Sequence, residues 1–369
     1  MQDRAGTAVT ISILIGDVFE QLRKMPAASV DCVVTSPPYW GLRDYDVKGQ
    51  IGLEPTLGEH LDVMVRVFRE VRRVLKPHGT VWLNYGDCYA TTPNGRAAAD
   101  VVGDDRTFRD KPFSTIQGTL KPKDLCMIPN RLAIALQDDG WWVRSEIIWH
   151  KPNPMPESVY DRPTTAHEKI WLLTKGEDYF YNAEAIREPV TGGSHARVKK
   201  AGPNSRENKD RVPVPRKLPP KSVMDHGTAR SRKMRGRAEE MIKSNERFAA
   251  STQQLVESRN ARNVWTIAPK AFREAHFATF PPELARRCIL AGTPPSVCGA
   301  CGAVDNCGGL CGHFERQPGH VLDPFGGSGT VGLVALQLGL RASLIELNPD
   351  YAEMARRRIY GVRSDEVAA

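Results

Sequence analysis

An apolar run from Val30 to Val34, interrupted only by Asp31, stops abruptly at two consecutive prolines, in Val-Val-Thr-Ser-Pro-Pro-Tyr-Trp over residues 33–40, and this arrest limits what the chain can build around it. The run reads as a buried parallel strand, and Pro37-Pro38 throws the next residues out at the strand's carboxyl edge. In open α/β sheets, that edge is where ligands bind. Two prolines fix φ and remove two backbone donors, so the loop offers carbonyls and the Ser36 hydroxyl as acceptors, with the Tyr39 ring beside them. Such a loop suits a planar group that carries an NH2.

A second stretch lies far downstream. Val321-Leu322-Asp323 reads as a short strand, Pro324 to Gly329 as a glycine-dense turn, and Val331 to Leu338 as a helix. Glycines let the backbone approach a ligand closely and expose amides at a helix start, where they can face an anionic group. About 20 residues after the glycines, Ser343-Leu344-Ile345-Glu346 ends the next strand in a carboxylate, the arrangement that holds ribose hydroxyls in dinucleotide folds. Asn348 follows and opens a terminal helix that ends in Arg356-Arg357-Arg358.

Together these residues resemble the S-adenosylmethionine-dependent amino-methyltransferases of DNA, which methylate cytosine N4 or adenine N6. Ser36-Pro37-Pro38-Tyr39 is similar to that family's catalytic Ser/Asp/Asn-Pro-Pro-Tyr/Phe tetrapeptide. Asp323-Pro324-Phe325-Gly326-Gly327-Ser328-Gly329-Thr330 is similar to its Asp-Pro-Phe-x-Gly-Ser-Gly-Thr cofactor loop. The segment Ala275 to Leu284 matches the family's stretch against the methionine end of the cofactor, with Phe277, Thr279 and Phe280 as candidates; they could equally be core residues. The catalytic loop precedes the glycine loop here, as in the permuted β group. The resemblance therefore implies an α/β, Rossmann-like S-adenosylmethionine methyltransferase sheet of permuted order, with a target-recognition insertion between its halves.

Other elements follow from local pattern. Ile11 to Ile15 is a short strand, then Val18, Leu22 and Met25 are at helical spacing, which leaves Asp17 as either a ligand carboxylate or a helix N-cap. An amphipathic helix is expected from His60 to Leu75, stopped by Lys76-Pro77-His78-Gly79, with a strand from Thr80 to Tyr85. Ala90 to Lys123 reads as a long loop, Asn130 to Asp138 as a helix, and Trp142 to His150 and Lys169 to Thr174 as strands. The Lys-Pro-Asn passage from Lys151 resembles one in the family, and His167-Glu168 falls where relatives often carry a His-Glu pair or, equally, where a helix starts.

Charge singles out one segment. The chain of 369 residues carries a net +8, yet residues 190–263 hold 18 Lys/Arg against 7 Asp/Glu, so the rest is net negative. Such concentration is the usual footprint of a phosphate-binding surface. The expected domains are a catalytic half over 1–189, a basic target-recognition insertion over 190–263 and a cofactor half over 264–369, with double-stranded DNA as partner. No apolar run approaches the ~18 residues of a membrane span, and no signal peptide is evident, so a cytoplasmic, nucleoid-associated protein of bacterial or phage type is expected. The resemblance leaves a homodimer and a cognate restriction endonuclease open as partners.

Cys298, Cys301, Cys307 and Cys311 form a C-x2-C-x5-C-x3-C spacing on glycine-rich turns. In a reducing compartment this favours a structural zinc over disulfides, in a loop at 298–313 where His313 could replace Cys307 or Cys311. The expected activity is site-specific DNA methylation, with Ser36 favouring cytosine N4 and adenine N6 as alternative. Methylation of RNA or of a protein glutamine, which uses a similar Asn-Pro-Pro-Tyr turn, fits the permuted order and basic insert less well. DNA binding without catalysis fits the intact loops less well.

Overall fold

The computed structural model describes residues 9–42, 44–45, 47–92, 113–189, 258–270, 280–304, 311–312 and 315–361. Its strands are β1 (Ile11–Ile15), β2 (Val30–Thr35), β3 (Leu75–Tyr85), β4 (Trp142–His150), β5 (His167–Thr174), β6 (Glu188–Pro189), β7 (Ser258–Arg259), β8 (Val264–Thr266), β9 (Ser296–Cys298), β10 (Arg316–Pro318), β11 (His320–Asp323) and β12 (Arg341–Glu346). The helices used below are α1 (Val18–Lys24), α2 (Leu57–Val74), α3 (Ile128–Asp138), α4 (Pro282–Gly292), α5 (Thr330–Gln337) and α6 (Pro349–Tyr360).

Eight strands form one sheet in the order β1-β12-β11-β2-β3-β5-β4-β8, in which β5 alone runs against its neighbours. Parallel strands must be covered on both faces. Accordingly, every residue of β2 is buried. On one face Leu22 of α1, Met64, Phe68 and Val71 of α2 and Leu132 and Leu136 of α3 pack with Val33, Val81, Leu83 and Leu173. On the other, α4 lies along β2 and β3, and α5 along β11 and β12. The permutation costs the sheet nothing: β11 pairs with β2, Val321 opposite Cys32 and Leu322 opposite Val33.

Chain contacts divide the protein into two units, Met1–Ile186 with Arg262–Ala369, and Arg187–Ala261, against joints expected at 190 and 263. In the second unit the ends of the inserted segment meet as the β6-β7 ladder. There the Arg187 guanidinium donates to Ser258 O (2.9 Å) and Ser258 Oγ (2.8 Å), and Arg259 pairs with Glu188. The interior of that segment, and most of the loop expected over 90–123, lie outside the described residues.

Several boundaries differ from the sequence reading. Helix α2 begins at Leu57 because Thr56 and Glu59 form a capping box, each side chain satisfying the other's backbone amide. It ends at Val74, and Lys76-Pro77-His78-Gly79 already belongs to β3. The ladder jumps from Val30 opposite Leu75 to Cys32 opposite Thr80, so these residues bulge out of register, where Pro77 owes no ladder donor. His167 and Glu168 start a strand, not a helix, because they pair with His150 and Trp149 of β4. No described helix is long and apolar enough to cross a membrane.

Candidate active site

Strands β2 and β11 end side by side, so the Ser36 loop and the glycine turn leave the sheet at one edge. The Thr35 hydroxyl donates to Asp323 Oδ1 at 2.7 Å, and the Phe325 amide donates to the same oxygen at 3.1 Å. Asp323 is buried, which pushes its carboxyl up to about 8; these two hydrogen bonds oppose the rise and the Glu346 charge adds to it.

The glycine turn is tied to the end of β12. Gly326 N donates to Ile345 O (2.7 Å), Gly327 N to Glu346 Oε2 (2.7 Å) and Asn348 N to Glu346 Oε1 (2.9 Å). Burial raises the Glu346 carboxyl, and the Asn348 and Gly327 amides oppose the rise. Gly329 enters α5 at φ 75°, and a Cβ there would come within 2.8 Å of the Ala355 Cβ, so only glycine fits. Pro324 is buried and Phe325 half-buried. Arg358 Nη1 braces the turn from α6, donating to Ser328 O (3.1 Å), Ser328 Oγ (2.6 Å) and Thr330 Oγ1 (3.0 Å).

Asp17 caps α1, accepting from Phe19 N (2.9 Å) and Glu20 N (3.1 Å). It shares the edge with Glu346, since Ile15 pairs with Glu346 and Gly16 N donates to Glu346 O. Asn348 likewise caps α6, accepting from Asp350 N. Phe280 is half-buried just before α4. Phe277 and Thr279 lie outside the described residues.

In the Ser-Pro-Pro-Tyr loop the Tyr39 ring stacks on Tyr85, centroids 4.7 Å apart and 25° between planes. Gly86 makes room: a Cβ there would lie 2.6 Å from Tyr39 Cε2. The Tyr39 hydroxyl donates to Glu168 Oε2 (3.0 Å) and receives Ser36 Oγ (3.4 Å). Glu168 is held by Asn84 Nδ2 (3.1 Å) and by an ion pair with Lys151. Burial pushes the Tyr39 phenol well above its ordinary range, and the Glu168 charge pushes it further.

A second cluster clamps the loop from below. The Tyr85 hydroxyl receives Trp40 N (3.1 Å), donates to Pro38 O (3.3 Å) and lies 2.7 Å from His60 Nε2. His60, fully buried, sets its Nδ1 2.7 Å from Glu54 Oε2. Sequence reasoning passed over Glu54, His60, Asn84 and Tyr85, and noted Lys151 and Glu168 without placing them in the site. The only signal was the alignment of the last two with family motifs. The cleft between Arg69, Arg72, Arg73, Asp139 and Lys175 opens at the opposite edge of the sheet, beside the start of β3, and contains no motif residue.

Cys298, Cys301 and Cys311 lie on the β9-β10 hairpin with their Sγ atoms all within 4.8 Å of one another. The Cys301 and Ala300 amides donate to the Cys298 thiol and bring it down to about 6. The hairpin leads into the start of β11, at the edge remote from Ser36 and Asp323. Cys307 and His313 lie outside the described residues.

Residues 30–357 match the family described as DNA methylase, the N6/N4 methyltransferases. Type II methyltransferase M.XycI of Xanthomonas campestris pv. cyanopsidis is 40% identical over 353 residues, 95% of this chain and 88% of that protein. Type II methyltransferase M.Cfr9I of Citrobacter freundii is 40% identical over 346 residues, 94% and 86% of the two chains. Among solved structures, PvuII DNA methyltransferase (cytosine-N4-specific) shares the fold at a TM-score of 0.55 and 18% identity, covering 98% of this chain and 92% of that one. The chain belongs to the N6/N4 DNA methylase family. It is a DNA methyltransferase.

Proposed function

We propose that this chain methylates N4 of a cytosine flipped out of duplex DNA, with adenine N6 as the alternative target. One observation carries the reading: the Thr35-Asp323 hydrogen bond joins the strand before the catalytic tetrapeptide to the strand before the glycine turn. A donor seated on one loop and a base gripped by the other then meet at a single edge. The serine at position 36 favours cytosine.

The residues fit the cofactor. Glycines at 326, 327 and 329 leave the backbone of the turn uncovered towards S-adenosylmethionine, and the Glu346 carboxylate at the strand end suits its ribose hydroxyls. Asp323, Pro324, Phe325, Gly326, Gly327, Ser328, Gly329, Thr330, Glu346 and Asn348 would hold it, with Asp17, Phe277, Thr279 and Phe280 around it. When bound, it supplies an electrophilic methyl group. Ser36 Oγ and the Pro37 carbonyl accept from the target amine, which turns its nitrogen lone pair towards that methyl. Pro38 fixes the turn, and Tyr39 stacks on the base. Attack through a thiolate, as C5 methylation requires, has no support, because Cys32 is fully buried in β2 and burial pushes its thiol up to about 12.

Residues 190–263 serve as the target-recognition segment between the two catalytic halves; the support is their charge. The three gathered cysteines, with Cys307 or His313 as fourth ligand, hold a structural zinc far from the chemistry. The test is methylation of duplex DNA followed by mass spectrometry of its nucleosides. N4-methylcytosine is expected; N6-methyladenine alone would move the target to adenine, and 5-methylcytosine would overturn the reading.

A further inference from the structure

Methyl transfer to an amine leaves a proton to dispose of. The nitrogen lone pair becomes the new N–CH3 bond while the electrons of the broken S–CH3 bond leave with sulfur. The nitrogen then carries one hydrogen more than the neutral product. A site that excludes water from the base needs a route for that proton, and the structure contains a continuous one.

Ser36 Oγ donates to Tyr39 Oη at 3.4 Å, Tyr39 Oη donates to Glu168 Oε2 at 3.0 Å, and every donor in this chain points away from the Ser36 end. Glu168 is fixed by Asn84 from β3 and by the Lys151 ammonium just after β4, so its carboxylate is already oriented. Stacking alone requires none of this: a phenylalanine at position 39 would stack equally well on Tyr85 or a base.

We propose that Ser36, Tyr39 and Glu168 form the proton exit of the reaction; this rests on the proposed contact between Ser36 and the target amine. The amine proton passes to Ser36 Oγ, the serine proton to Tyr39 Oη, and the phenol proton to Glu168 Oε2. Ser36 and Tyr39 end neutral, as they began, and the carboxylate ends as a carboxylic acid. The long first link is of the kind that tightens when substrate is bound. Glu168 keeps 18% of its side chain exposed, which lets it return the proton to solvent between turnovers. Lys151 and Asn84 are positioning residues that act through Glu168.

The test compares Tyr39→Phe, Glu168→Gln and Glu168→Asp with the unchanged protein in single-turnover methylation of duplex DNA across pH. Cofactor affinity by calorimetry and flipping by 2-aminopurine fluorescence are read on the same samples. Tyr39→Phe and Glu168→Gln should each lower the rate about a hundredfold or more, the lower side of general acid-base contributions, with binding and flipping intact. Glu168→Gln should also lose the fall in rate towards acid pH, and Glu168→Asp should keep it. Full rates for both Tyr39→Phe and Glu168→Gln, with binding intact, would overturn the relay. Tyr39→Ala separates the two proposals: its loss of turnover beside full rates in those variants condemns only the relay, whereas its normal turnover would remove the base-gripping role as well. If Glu168→Gln does not fold, the near-isosteric Tyr39→Phe decides.

Discussion

The Thr35 hydroxyl reaches Asp323 Oδ1 at 2.7 Å across 288 positions of sequence. Both residues are buried and each is the last of its strand, so the bond fixes how the two loops leave the sheet. Thr35→Val removes the donor and keeps the shape. Leaving a buried acceptor short of a partner costs about 1–3 kcal/mol, and denaturant unfolding should register a loss of that order, with Thr35→Ser recovering most of it.

Asp323 also makes stability depend on pH. Its carboxyl titrates at about 8 when folded against 3.8 for an unperturbed aspartate. Below the lower value both states hold the proton, and above the higher both have lost it. Between them the unfolded chain releases a proton that the folded chain keeps, so this group's contribution falls as pH rises from about 4 to about 8. Asp323→Asn should flatten that fall in the ligand-free protein. Melting temperatures should show a larger gain relative to the unchanged protein at pH 8 than at pH 4.

Gly86→Ala should disturb Tyr39 without touching its chemistry. The new Cβ would meet a ring held in a stack, at 2.6 Å from its Cε2, and overpacking of that kind costs about 1–3 kcal/mol. Turnover should drop along with stability. Gly176→Ala, whose Cβ would meet nothing within 4 Å, is the control and should change neither.

What could be read from the sequence was what is written contiguously. The Ser36 tetrapeptide and the Asp323 turn each carry their chemistry in a few adjacent residues, and the burial of β2 is visible as an apolar stretch except at Asp31, whose burial rests on its ion pair with Lys76. The pairing of β11 with β2 sets the two loops side by side. Glu168 and His60 were not legible as site residues, because their partners Tyr39 and Tyr85 lie 129 and 25 positions away. His60 moreover occupies a position on the apolar stripe of α2, where spacing says only that it faces inward. Lys76 to Gly79 reads as a helix stop from its proline and glycine, and only the register with β2 makes it a bulge. Asp17, open between ligand and cap in the sequence, caps α1 in the structure and stands at the same strand edge as Glu346.

The cysteine hairpin gives a metal prediction. Elemental analysis of purified protein should find zinc, and Cys298→Ser or Cys301→Ser should lower both metal content and melting temperature. A chelator should destabilise the unchanged protein. Because the hairpin stands at the sheet edge opposite Ser36, methylation by the surviving folded fraction should proceed at its normal rate. Protein free of metal with unaltered stability would reject the site.

The two loops divide the work between base and cofactor, and the separation of turnover from cofactor affinity in Tyr39→Ala and Asp323→Ala tests this most directly. Tyr39→Ala should lower turnover far more than it weakens cofactor binding, and Asp323→Ala should do the reverse. Equal effects of both substitutions on both quantities would contradict the account.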